Sequence, residues 1–400
     1  MSTFRSRIVN KISRAVAVFG LTGVLAACVS GPSGPYTPTG PEPEPTPTSN
    51  SEVLGSGSVP VALLLPLSAG GEAAGLATAF RNAASLAMDD FPNADVRILV
   101  RDTGGTETGA RDAAQAALGE GAKLILGPVF SPAVAGASTP ARQAGVPIIA
   151  FSTDASVARR GVYLLSFLPR QDADRIISYS VGQGRKALAA LVPDNGYGLV
   201  MEAAFREAVS RERGQVVAVE RYTTNNADDM AAKAQAVAAK GAQVNAIFVP
   251  NGGQDPGILA TALSNNGLGS AKLLGSGQWD NANVLQSSAL AGSWYPSPPR
   301  RGFETFSTKY RRKFGSAPPR TSSLAYDAAS LAAGLVRARG AGAFTNEVLT
   351  NSDGFLGVDG IFRFLPDGRS QRGLAVYEVR DGGENRVIAP APKSFSSSGF

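Results

Sequence analysis

The strongest constraint on this chain is a series of short, unbroken apolar runs, each followed by a stretch with helical spacing. The runs are "VPVALLLPL" (59–67), "VRILV" (96–100), "KLILGPV" (123–129) and "VPIIAF" (146–151), then "ALAALVP" (187–193), "VVAVERY" (216–222), "AIFVP" (246–250) and "KLLGSG" (272–277). Between them, around 75–90, 107–119, 131–144, 171–183, 198–213, 228–240 and 256–266, alanine-rich segments place apolar residues three and four apart. A strand that is apolar at consecutive positions has both faces buried, and strands alternating with helices build a parallel sheet covered on both sides. The spacing predicts an α/β chain with this arrangement made twice.

The second series begins after "GVYLLSFLPRQDADR" (161–175), where the alternation restarts. Beyond Gly277 it lapses into helices expected at 302–315 and 321–339 and late strands at "GIFRF" (360–364) and "GLAVYEV" (373–379). This late material is too little for a third domain, so it is expected to return to both sheets. The first lobe is then 59–170 plus about 278–345, the second 171–277 plus about 346–385, and 386–400 a flexible tail. Ligands of such sheets bind outside the carboxyl ends of the strands, which puts a cleft between two facing lobes.

The N-terminus has a different character. Arg5, Arg7, Lys11 and Arg14 precede the apolar stretch Ala15 to Ala27, which is too short to span a bilayer and ends in small residues. That is the layout of a secretory signal peptide over 1–27. Residues Leu25-Ala26-Ala27-Cys28 resemble the bacterial lipobox, in which the cysteine receives a diacylglycerol, the signal is cut before it, and the new amine takes a further acyl chain such as palmitate. Each buried methylene contributes about 0.8 kcal/mol, so two or three chains anchor a protein firmly. Cys28 is the only cysteine, so no disulfide within the chain is possible. Residues 28–58 follow as a tether, with prolines at 32, 35, 38, 41, 43, 45 and 47. Such a tract favours extended polyproline II, at about 3.1 Å per residue, over a packed fold.

Loss of the leader also settles the charge. The chain carries +6, the leader's four basic residues and no acidic ones account for four of these, and about +2 remains. A nearly neutral protein without basic-aromatic interleaving has no electrostatic case for nucleic acid. Enzymatic readings fare little better. There is no histidine, which removes Ser-His-Asp triads and the commonest metal ligand. No G-x-S-x-G elbow, no serine three residues before a lysine and no phosphate loop occurs. Asp102 and Asp154 lie at strand ends, where loop capping is the simpler reading. No catalytic residue, cofactor or metal is expected.

Several ordered segments carry a family resemblance: "VALLLPLSAGGEAAGLATAFRNAASLAMDD", "LILGPVFSPAVAGASTPARQAGVPIIAFSTDASV", "PDNGYGLVMEAAFREAV" and "YDAASLAAGL". They resemble the type I periplasmic binding proteins, the leucine/isoleucine/valine-binding group in particular, over most of 59–340. The resemblance implies two Rossmann-like lobes around a ligand cleft. It implies a periplasmic receptor, without enzymatic activity, that closes on a small amino-acid-like, amide or peptide ligand and delivers it to an ABC permease. The same family includes outer-membrane lipoproteins that activate penicillin-binding proteins, and the anchor and layout are similar to theirs too. Fold likeness does not choose between these partners. The expected place is the periplasm, lipid-anchored to the outer or inner membrane. Val29 stands where family experience links an Asp to inner-membrane retention.

The same comparison suggests ligand residues. Ser131 follows a strand and precedes Pro132, which reads as a helix N-cap whose hydroxyl and free N–H groups would meet a carboxylate. The family binds its ligand carboxylate from this turn, and takes further donors from the position of Ser152 and Thr153. Tyr197, between glycines at a helix opening, places a ring where it would close over a bound side chain. Gln254, in "NGGQDPG", stands where the amino-acid binders carry an aromatic. Around "LLGSGQWDNANV" they place the acid that pairs with the ligand ammonium, whereas here stand Gly and Ser, leaving Asp280 or Asp255 to move in. A buried ammonium without a carboxylate would cost several kcal/mol.

Overall fold

In the computed structural model, which describes residues 52–240, 243–383 and 385–395, the apolar runs become the strands of two sheets. The first lobe opens with β1 (Glu52–Leu54), β2 (Val59–Leu65), α1 (Glu72–Asp90), β3 (Val96–Asp102), α2 (Glu107–Gly119), β4 (Ile125–Leu126), α3 (Ser131–Gln143), β5 (Ile148–Ala150) and β6 (Val162–Leu164). Its sheet runs β1-β3-β2-β4-β5-β6, parallel except for β1, which is antiparallel to β3.

The second lobe follows with α4 (Pro169–Gly182), β7 (Ala187–Pro193), α5 (Gly196–Arg211), β8 (Gln215–Tyr222), α6 (Ala227–Ala238), β9 (Ala246–Phe248), α7 (Asp255–Leu263), β10 (Lys272–Leu274), α8 (Ala282–Leu285) and β11 (Trp294–Ser297). The chain then returns to the first lobe as α9 (Arg300–Phe314), α10 (Ser323–Arg339), α11 (Asn346–Leu349) and a small antiparallel sheet of β12 (Phe355–Gly357), β13 (Gly360–Phe364) and β14 (Ser370–Arg372). Finally β15 (Ala375–Val379) and β16 (Asn385–Ala389) complete the second sheet, ordered β16-β15-β11-β10-β9-β7-β8.

The two-residue period of a strand explains why both faces need helices. Val61, Leu63 and Leu65 of β2 pack with Phe80 and Ala84 of α1 and Ala328 of α10. Ala62 and Leu64 point the other way, to Ala114 of α2 and Val134 of α3. The second lobe repeats the scheme: Ala189 and Leu191 of β7 face Met230 of α6 and Leu259 of α7, while Leu188, Ala190 and Val192 face Ile177 of α4 and Phe205 of α5. Among the described residues no helix is long and apolar enough to cross a membrane.

The expected boundaries need correction in the late segments. β11, expected in the first lobe, lies in the second sheet, antiparallel to β15. Its sequence, "WYPS", reads as a loop because Pro296 has no N–H to give a ladder, and its pairing with β10 is confined to Leu274↔Trp294. β12 to β14, expected in the second lobe, pack on the first, where Phe362 and Phe364 join Tyr163 in the core. β1 belongs to the folded domain rather than the tether, and β16 replaces the first part of the expected tail. The leader, Cys28 and the tether up to Ser51 lie outside the described residues, as do 396–400.

Leu64 is fully buried and serves only the helix-covered face shared with α2 and α3. Leu64→Ala is expected to lower the unfolding free energy by about 2–5 kcal/mol, read as a lower urea midpoint at unchanged slope. A loss under about 1 kcal/mol would show that this face is not close-packed.

Candidate functional site between the lobes

The chain passes between lobes at 165–169, 297–300 and 372–375. All three passages line one cleft of about 780 Å³, through Phe167 and Pro169, Pro298 and Arg300, and Arg372 and Leu374. That volume suits a small organic ligand.

Of the residues expected from the sequence, Thr153 and Tyr197 line this cleft. Thr153 is exposed at the carboxyl end of β5. Tyr197 is set by the start of α5, where the Asn195 side chain accepts the N–H of Gly198 at 3.0 Å. Position 198 tolerates no side chain, since a Cβ there would lie 1.7 Å from the carbonyl oxygen of Pro193. The Tyr197 hydroxyl lies 3.2 Å from both the carbonyl of Pro250 and Oγ of Ser276, so it serves the loops behind the cleft. Burial, aided by the charge of Asp172, raises its pKa.

Ser131, Ser152 and Gln254 are not among the residues lining the cleft. The first helical bond of α3 runs from Val134 N–H to the carbonyl of Phe130, which makes Phe130 the N-cap and Ser131 the first helical residue. Ser152 is buried, and its Oγ accepts the N–H of Asp154 at 3.1 Å. Gln254 opens α7 and faces a separate groove beside Ala231 and Asn283, while Gly252 and Gly253 before it reach the cleft. Asp102 and Asp154 tie loops, accepting the N–H groups of Gly104 and Ser156 at 2.9 Å each.

Neither acid left for an ammonium is free. Asp280 lines the cleft, but it accepts from Ser297 Oγ at 2.7 Å and from Arg300, with Arg320 at 3.9 Å. Asp255 is buried elsewhere, holding Asn251 Nδ2 at 2.7 Å and Asn225 N–H at 3.2 Å.

The charged residues that shape the cleft were not legible as such in the sequence. Arg300 is paired with Asp280, and Arg320 with the fully buried Asp359 at 2.6 Å. Arg372 is only 5% exposed, and its Nε, Nη1 and Nη2 make no hydrogen bond among the described residues. Its guanidinium carbon sits 5.0 Å from the ring centre of Phe167 and 5.6 Å from that of Phe362. Asp172, from the first turn of α4, accepts the N–H of Gly277 at 2.9 Å. Burial pushes its pKa up to about 7 against that hydrogen bond. Signals existed in retrospect: Asp172 is the acid of the α4 first turn, and Arg372 alternates with Ser370 on the inner side of β14.

A family model described as periplasmic binding protein matches residues 58–384. This chain belongs to the periplasmic binding protein family. Solved structures share the fold. A putative branched-chain amino acid ABC transporter protein from Rhodospirillum rubrum is 22% identical with a TM-score of 0.73, covering 82% of this chain and 99% of its own. An ABC transporter substrate-binding protein from Sphaerobacter thermophilus is 20% identical with a TM-score of 0.66, covering 86% and 100%. A solute binding protein from R. palustris in complex with 4-hydroxybenzoate is 19% identical with a TM-score of 0.58, covering 86% and 99%. A search of curated protein sequences finds no match.

The raised pKa of Asp172 has a definite sign in stability. The native state holds this proton up to about pH 7, whereas an unfolded aspartate releases it near pH 4. Its contribution therefore declines as pH rises from about 4 to about 7 and is level above. Asp172→Asn keeps an oxygen for the Gly277 N–H and has no proton to lose. Its stability relative to wild type is expected to improve across that window, measured by urea midpoints. A constant difference at all pH values would contradict the assignment.

Proposed function

We propose that this protein is a lipid-anchored periplasmic solute receptor that closes its lobes on a small amino-acid-like, amide or peptide ligand and presents it to an ABC permease. The observation that carries this reading is the cleft at the three crossings, walled by both lobes and holding Asp172 and Arg372. Proteins of the same fold are described with isoleucine in one case and with benzoate or 4-hydroxybenzoate in others. Each of these ligands carries a carboxylate.

Asp172 answers the missing ammonium partner. It lies at Gly277, inside the segment where the leucine-binding group is expected to place its acid, but it comes from α4. Its buried carboxyl has no cation beside it among the described ion pairs, so a ligand ammonium would stabilise the ionised form.

Two measurements test this reading. A ligand that binds the closed form alone raises unfolding free energy by about 2.7 kcal/mol at a hundredfold excess over Kd. A thermal-shift screen of protein refolded to remove carried-over ligand, with zwitterionic amino acids, amides, short peptides and monocarboxylates, is expected to give at least one such stabiliser. Asp172→Asn is then expected to weaken zwitterions more than the matching acids without the amine. No stabiliser in any class would transfer the protein to the second role, activation of a penicillin-binding protein. For the anchor, Cys28→Ser is expected to abolish recovery in a detergent phase. Wild-type recovery of that variant would remove the lipid from the proposal.

A further inference from the structure

We propose that Arg372 is the carboxylate-binding residue of the cleft, and that the ligand presents one planar monocarboxylate to it. This rests on the receptor reading above and adds the group that decides which ligands are taken. A buried guanidinium is retained at a large desolvation cost unless its donors find an acceptor. Here the three nitrogens have none among the described residues, yet the side chain lines the cleft. Phe167 and Phe362 occupy positions against the guanidinium by cation–π contact. Such contact covers the faces of the guanidinium, so a bidentate acceptor must come to the in-plane N–H groups, which carry almost no exposed surface until the side chain shifts toward the cleft.

The other two arginines of the cleft already have partners. Arg300 is neutralised by Asp280, and Arg320 by Asp359, which also takes Ser323 Oγ at 2.6 Å. Asp327 is buried nearby with one oxygen on the Val358 N–H at 2.7 Å and the other without a partner. No carboxylate comes within ion-pair distance of Arg372 among the described residues, so it is the arginine of the cleft left without a contact partner. A planar carboxylate matches the fork of this one guanidinium, whereas a tetrahedral dianion would also meet the carboxylates of Asp172 and Glu304 in the same cleft.

The rival explanation is that Arg372 merely offsets Asp327 and Asp359 across the core. Calorimetric titration separates the two, using isoleucine with isoleucinamide and benzoate with benzamide as matched acid and amide probes. Wild type is expected to bind at least one acid in preference to its amide. Arg372→Gln is expected to weaken that acid by roughly 10- to 150-fold, the range for a hydrogen bond to a charged group, and to leave the amide unchanged. Arg372→Lys, which keeps charge but loses the fork, is expected to fall between and guards against misfolding of the glutamine variant. Acid affinity unchanged in both variants overturns the assignment and leaves the receptor reading intact. Recovery of acid affinity on adding Asp327→Asn to Arg372→Gln also overturns it, since charge balance would then be the cause. Wild type that binds neither acid overturns the assignment, whereas failure of the whole ligand screen is what defeats the receptor reading.

Discussion

Strands buried on both faces are the constraint from which the rest of this molecule follows. β2 is apolar at every side chain and has no exposed residue, so it is stable only with helices above and below it. The first lobe cannot supply both layers from its opening segment. α2 and α3 cover one face, and α1 needs α10, from far along the chain, to complete the other. The second sheet is likewise unfinished until β15 and β16 return to it. Covering two sheets from one chain therefore forces the crossings at 165–169, 297–300 and 372–375, and the crossings create the cleft.

Within the cleft the electrostatics divide into satisfied and unsatisfied groups. Asp280 and Asp359 each hold an arginine at contact distance, and these pairs tie the return passage of the chain to both lobes. Such partly buried pairs fix geometry more than they add stability. Asp172 and Arg372 differ because neither meets an opposite charge at ion-pair distance among the described residues. Burial raises the pKa of Asp172 to about 7 and lowers that of Arg372, the direction expected when each charged form lacks water. Two opposite charges left open in one cleft describe a site shaped for what binds there.

The fold was readable in the sequence wherever burial was two-sided. The runs at 59–67, 96–100 and 187–193 became β2, β3 and β7 because continuous apolar sequence has few other uses. β1 and β16 escaped because they are short, partly exposed edge strands, and β11 because proline and serine hide it. The site was readable only at strand ends. Thr153 and Tyr197 reach the cleft as expected, but the facing of Ser131 and Gln254 depends on where the first helical bond forms and on how a turn leaves its glycines. Arg372 carries only the weak mark of sharing a strand face with Ser370, and its burial comes from Phe167 and Phe362, which enclose it from two other segments.

The placement of Arg372 joins recognition to motion. It ends β14 at the last crossing, and Phe167 stands on the first, so the guanidinium itself bridges two of the three connections. Closure of such lobes needs a few connecting residues to absorb the change in backbone angles. A ligand shifts the open and closed populations only by the difference in its contacts with the two. Residues on the connections move least in a rotation of the lobes, while their backbone angles change most, so a contact there acts on the hinge angles directly. A carboxylate at Arg372 is therefore placed where a bond to the ligand and a bias toward one lobe angle are the same interaction, without any relay through the cores of the lobes.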